Sequence, residues 1–142
     1  MAPRRRNTVL AVLEVVRRQW PSLGLGHLRA LLYVAENPGL SLSELSELCG
    51  CTLATTSRTM RAMAGPDIEY SLPPSLGLVH LERPQGDLRL VSARLSAAGA
   101  ALCQQIDLLI GTPETIMPAP YRPPPEPGEA AEARARRDST PA

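Results

Sequence analysis

The chain has 142 residues, a formal net charge of +1 and 44% hydrophobic residues, which fits one domain with a modest core and a tail. A balance this near neutrality excludes reading a nucleic-acid partner from charge alone. With one Trp, three Tyr and no Phe, the core must be aliphatic. Its Lys/Arg cations are all Arg, the side chain that offers phosphate and guanine a bidentate fork. Three cysteines (Cys49, Cys51, Cys103) in no disulfide-like framework point to a reducing compartment. The opening MAPRRRNTVLAVLEVV sets Arg4–Arg6 before an apolar run. Glu14 interrupts that run, Arg17 and Arg18 follow it, and no small-residue cleavage site appears. No stretch approaches the ~20 apolar residues of a membrane span. A cytoplasmic protein with no membrane partner is the expectation.

In chain order, the first predicted helix covers about Thr8–Trp20. Val9, Val12, Leu13, Val16 and Trp20 form one apolar stripe, which Leu10 and Val15 widen. A helix apolar over this much of its surface is buried on two sides, which in a small protein suggests a subunit interface. Pro21 stops it. A second helix spans roughly Leu25–Glu36 and breaks at Asn37-Pro38-Gly39. Ser41 and Glu44 have capping-box spacing at the head of a third, two-turn helix. Cys49-Gly50-Cys51 ends it, with Gly50 suited to a left-handed conformation. Thr52 is the expected N-cap of the fourth helix, Thr52–Ala64. On it Leu53, Thr56, Met60 and Met63 face inward, and Ala54, Thr55, Arg58, Thr59 and Arg61 face out.

A loop carrying three prolines, Gly65–Ser75, leads to two predicted strands, Leu76–Arg83 and Leu88–Leu95, joined by a turn at Pro84–Asp87. Ser96 caps a last helix to about Gly111, with Ala98, Ala101, Leu102, Ile106, Leu109 and Ile110 on its apolar side. Composition breaks near Thr112: eight of the fifteen prolines follow. The expected layout is a domain over 1–112 and a largely disordered Pro/Ala-rich tail over 113–142, extended around Pro123–Pro127. The fold expected is mainly α with a small β-hairpin wing. It is a winged helix-turn-helix, in which two helices joined by a short Gly-containing turn precede a hairpin.

The segments SLSELSELCGCTLATTSRTMRAM and Gly86-Asp87-Leu88-Arg89 followed by Leu95-Ser96-Ala97-Ala98-Gly99 occur in that order. Together they resemble the MarR family of bacterial transcriptional regulators, over about Leu28–Gly99. The chain departs from that pattern in three ways. It inserts roughly ten residues around Asp67–Ser75 between recognition helix and wing. It has one acidic residue, not two, before the wing Arg. Its C-terminal dimerisation region is short, because Pro113 ends the last helix early.

In helix-turn-helix docking the N-terminal end of the recognition helix enters the major groove. This places Thr52, Ala54, Thr55 and Arg58 at base edges and Arg61 at phosphate. The resemblance implies that Arg89 enters the minor groove with Asp87 orienting it. Arg83 and Arg94 are weaker phosphate candidates, Ser41 offers a backbone N–H to phosphate, and Arg4–Arg6 are a possible basic arm. The resemblance also implies a homodimer, most often a repressor, on a palindromic site in double-stranded DNA. Its interface would come from Val9, Val12, Leu13, Val16 and Trp20 with Leu102, Ile106, Leu109 and Ile110. Family members often bind small aromatic ligands between the dimerisation helices and the DNA-binding lobe, and no polar cluster here names an effector.

Other readings stand beside this one. Segment 40–95 holds five Arg against six acidic residues, so the same scaffold suits a protein-binding module. A replication or partition accessory protein that binds DNA is a third. Cys49 and Cys51 lack further ligands, and His27 and His80 lie far from them, so no metal is expected. No catalytic arrangement, phosphate loop or cofactor fingerprint appears, so neither an enzyme nor a cofactor is expected.

Overall fold

The computed structural model describes residues 4–68, 70–83, 90–120 and 122–139. Helix α1, Thr8–Gln19, begins at Asn7, whose side chain accepts from the Leu10 amide at 2.8 Å. Trp20 is its C-cap rather than its last turn, and its N–H donates to the Val16 carbonyl. Helix α2, Leu25–Glu36, ends at Asn37 as the Asn-Pro-Gly sequence requires.

A two-residue strand, β1 (Leu40–Ser41), precedes α3 (Leu42–Cys49). The sequence reading lacks β1, because two residues carry no periodicity. Ser41 caps α3: the Glu44 amide donates to its Oγ at 3.1 Å, and that hydroxyl donates to Glu44 Oε1 at 2.9 Å. Gly50 follows with φ +67, and the Cys51 amide donates to the Ser46 carbonyl. The left-handed residue reverses the chain within one position. Helix α4, Leu53–Met63, starts at once, capped by Thr52, whose Oγ1 accepts from the Thr55 amide at 3.2 Å.

Strands β2 (Val79–Glu82) and β3 (Ser92–Leu95) pair antiparallel, with Leu81 opposite Ala93 and Val79 opposite Leu95. β1 adds to the other edge of β3, so the sheet order is β1-β3-β2. Both main strands are shorter than the sequence pattern predicts. Leu72, Leu76 and Leu78 give their amides instead to the carbonyls of Arg61, Ala62 and Met63. The connection thus satisfies acceptors that the last turn of α4 leaves orphaned. Residues 88–89 of the second predicted strand, like the turn at Pro84–Asp87, lie outside the described residues.

Helix α5, Ala97–Gly111, starts at Ser96, which accepts from the Gly99 amide at 3.1 Å and donates to the Gly77 carbonyl at 2.6 Å. Gly99 sits where the backbone of Leu78 passes, and a Cβ there would overlap the Leu78 carbonyl oxygen. The segment after Thr112 is read from sequence as lacking persistent structure, yet it carries α6, Pro127–Asp138. Pro127 at the first position, Glu129 in the first turn, alternating Ala, and Arg136 and Arg137 in the last turn favour a helix locally. None of its residues is buried.

Leu31, Leu42, Leu45, Met60, Met63, Leu78 and Leu102 are the largest fully buried side chains, so the core is aliphatic and thioether. Sheet and helices meet there through Leu81, Val91 and Ala93. Val16, Leu102 and Ile106, expected at a subunit interface, belong to this core, and Val12 and Trp20 are half-buried against it. Apolar periodicity marks a buried face without saying which neighbour buries it. Exposed large apolar side chains among the described residues include Val9, Leu10 and Leu13 on α1, Leu108 and Ile110 on α5, and Ile116 and Met117 beyond it, with Leu25, Leu32, Leu48 and Leu90 exposed elsewhere; Leu109 is half-buried.

Candidate nucleic-acid interface

Helix α4 is held by its inner face. Thr56, Ser57, Met60, Ala62 and Met63 are buried, while Thr52, Ala54, Thr55 and Arg58 are exposed. This follows from helical geometry, since residues three and four apart share a face. The exposed set lies in the cap and first two turns, where the left-handed Gly50 and the Thr52 cap fix the helix direction. The Thr52 hydroxyl also donates to Thr55 Oγ1 at 3.0 Å, leaving the Thr55 hydroxyl hydrogen free for an outside acceptor. Among the described residues no hydrogen bond or ion pair holds the Arg58 guanidinium. The helix carries Arg58 and Arg61 and no acidic residue.

Arg61 differs from Arg58. It is half-buried, and its Nε donates to the Tyr70 carbonyl at 2.7 Å. The Tyr70 hydroxyl reaches across to the Leu81 carbonyl of β2 at 2.9 Å. Arg83, at the end of β2, is exposed and holds its guanidinium carbon 5.7 Å from the centre of the Tyr70 ring. Tyr70 is therefore a residue of this region that the sequence reading missed. An isolated aromatic in a Pro-rich loop has no periodicity to reveal its partner.

The Ser41 hydroxyl is committed to the α3 cap. Asp87 and Arg89, expected from the sequence at the wing, lie outside the described residues. Arg94 is exposed beside Gly39. Of the N-terminal arginines, Arg5 is tied away from α4: it pairs with Glu114 at 3.2 Å and donates to Thr115 Oγ1 and the Ile116 carbonyl. The Thr8 amide donates to the Glu114 carbonyl at 3.0 Å, and the Glu114 amide donates to Thr8 Oγ1 at 2.6 Å. These bonds bring 114–117 alongside the start of α1, so the exposed apolar residues of α1 and of 116–117 share one end of the molecule.

Cys51 is exposed at the helix-turn-helix corner, while Cys49 is half-buried. Burial raises the Cys49 thiol pKa, partly offset by the Arg29 cation. Burial likewise raises that of Cys103, and the Asp107 carboxylate adds to it. Among the described residues no three His, Cys, Asp or Glu side chains gather as a metal site, and no helix is long and apolar enough to cross a membrane. A cleft of about 480 Å³ lies between α2 and α5, lined by Leu32, Ile106 and Ile110 with Cys103, Glu36 and Asp107.

No family profile and no curated protein matches the chain by sequence. Solved structures match its fold. Rv1404 from Mycobacterium tuberculosis superposes with a TM-score of 0.56 at 13% identity, over 94% of this chain and 73% of that one. A MarR transcriptional regulator from Methanosarcina mazei Go1 gives 0.55 at 14% identity, over 89% and 81%. Staphylococcus aureus MarR, in complex with salicylate and kanamycin, gives 0.53 at 15% identity, over 93% and 67%. The architecture is that of the MarR winged helix.

Proposed function

We propose that this chain is a DNA-binding transcriptional regulator of the MarR type, which acts as a homodimer on a two-fold symmetric site and represses by occupying it. The observation that carries the reading is the outer face of α4. A capped, rigid helix presents Thr52, Ala54, Thr55 and an unpartnered Arg58 together, with no acidic residue on the helix. Arg58 is placed to take guanine O6 and N7 in the major groove, and Thr55 to take a neighbouring base edge or phosphate. Arg83 and the wing residues Asp87 and Arg89 would meet the flanking backbone and minor groove, and Arg61 an adjacent phosphate through its free Nη atoms. The N-terminal amides of α3 at Ser41 would face phosphate.

The dimer would form through Val9, Leu10 and Leu13 of one protomer against the same end of the other, joined by Leu108, Ile110, Ile116 and Met117. Leu10 and Leu13 are 43% and 44% exposed in the single chain, so covering the remainder contributes roughly 1 kcal/mol each. The cleft between α2 and α5 is where an effector would bind and couple the dimer to the DNA-binding lobe.

The test is a mobility-shift titration on upstream DNA, comparing wild type with Arg58→Ala and Arg89→Ala. Loss of the Arg58 contact is expected to weaken specific binding by about 1–3 kcal/mol, roughly five- to 150-fold, with the thermal unfolding midpoint unchanged. Wild-type affinity should fall steeply with added salt as counterions are released. Equal binding by all three proteins would refute the site.

A further inference from the structure

The cleft between α4 and the sheet is roughly 260 Å³, lined by Leu42, Ser57, Arg61, Tyr70, Leu81, Arg83 and Val91. Among the described residues, this cleft separates the recognition helix at Ser57 and Arg61 from the wing end of β2, whose other end is joined to α4 by the Ala64–Val79 bridge. Tyr70 spans the gap. Its carbonyl holds Arg61 of α4, its hydroxyl holds the Leu81 carbonyl of β2, and its ring lies under Arg83 at the foot of the wing. Its own segment is anchored to α4 as well. Ser71 Oγ lies within hydrogen-bond distance of the Arg61 and Ala64 carbonyls, and the Leu72 amide donates to the Arg61 carbonyl. β2 is an edge strand of a three-stranded sheet, and beyond its pairing with β3 it makes one further backbone bridge, Val79 to Ala64 at its start. A short edge strand on a small sheet is held weakly by its own pairing.

The geometry points to Tyr70 as a positioning residue, a strut by which the 65–78 connection sets the wing at a fixed distance and angle from the recognition helix. The DNA arm of this inference rests on the function proposed above; the mechanical arm does not. The ring presents its electron-rich face to Arg83, and the guanidinium of Arg61 is bonded to the same residue's backbone. One residue thereby positions a cation on the recognition helix and a cation on the wing. Tyr70 thus sets the wing end of β2 against α4, while the amides of Leu76 and Leu78 and the Ala64–Val79 bridge fix its other end.

The experiment compares wild type, Tyr70→Phe and Tyr70→Ala. Phe removes the hydroxyl bond to Leu81 and keeps the ring under Arg83; Ala removes both and leaves the carbonyl that holds Arg61. In the free protein, amide hydrogen exchange in peptides covering 79–83 is expected to rise about tenfold in Tyr70→Ala, the scale of one net hydrogen bond plus one exposed cation–π contact. Tyr70→Phe is expected to fall between. Exchange in α1, α2 and α5 should not change. On DNA, hydroxyl-radical protection of the flanking minor groove should weaken in Tyr70→Ala while guanine N7 protection under α4 persists. Unchanged exchange over 79–83, a rise spread evenly over the domain, or intact flanking protection would each overturn the strut. If wild type leaves no footprint, the DNA-binding proposal fails, and the exchange result still decides the role of Tyr70.

Discussion

Arg58 and Arg61 sit three residues apart on α4, and their surroundings separate them. Arg58 stands in solvent with no partner among the described residues, so its removal touches only what the helix binds. Arg61 is bonded to the Tyr70 carbonyl, so Arg61→Ala is expected to lower stability as well, by roughly 0.5–1.5 kcal/mol in urea titration, where Arg58→Ala lowers it by none. Gly99 is the sharper case. A side chain there meets the Leu78 carbonyl, which is backbone and cannot rotate away. Gly99→Ala is expected to cost about 1–3 kcal/mol in urea, the range for overpacking a fixed site. The cysteines give a third outcome. Iodoacetamide at neutral pH should label exposed Cys51 first, read by peptide mass spectrometry, because Cys49 and Cys103 are half-buried and burial raises their thiol pKa.

Elements built on local chemistry were legible in the sequence. Ser41, Gly50 and Thr52 act within four residues of themselves, through caps and a left-handed turn, so their spacing marks the helix-turn-helix without tertiary information. Thr52→Ala is expected to cost about 1 kcal/mol of stability, measured by thermal unfolding, and to fray the end of α4 proposed to meet DNA. Elements that depend on distant partners were not legible. β1 exists only because β3 pairs with it, and β2 starts at Val79 because Leu72, Leu76 and Leu78 are spent on the end of α4. The candidate DNA-facing set divides the same way. Helix periodicity orders Ala54, Thr55 and Arg58 on one face, whereas nothing in the order of residues joins Tyr70 to Leu81 and Arg83.

At the scale of the molecule, the apolar stripe on α1 serves two masters. Val16 goes to the protomer core with Leu102 and Ile106, and Val9, Leu10 and Leu13 stay outside it. Leu13→Glu is therefore expected to shift the sedimentation of the protein from dimer to monomer while leaving its fold intact. Leu102→Ala should unfold it by about 2–5 kcal/mol instead. The Arg5–Glu114 pair and the Thr8–Glu114 bonds bring Ile116 and Met117 to the same end, so residues past α5 extend the proposed interface rather than trail from it. The proposed dimer at that end would carry two copies of α4, and its symmetry would pass to the DNA. The most direct measurement is selection of bound duplexes from a random pool. A two-fold symmetric sequence with half-site centres about 10–10.5 bp apart should be enriched by the wild type and lost in Arg58→Ala. Recovery of the starting pool without enrichment would contradict the proposed function.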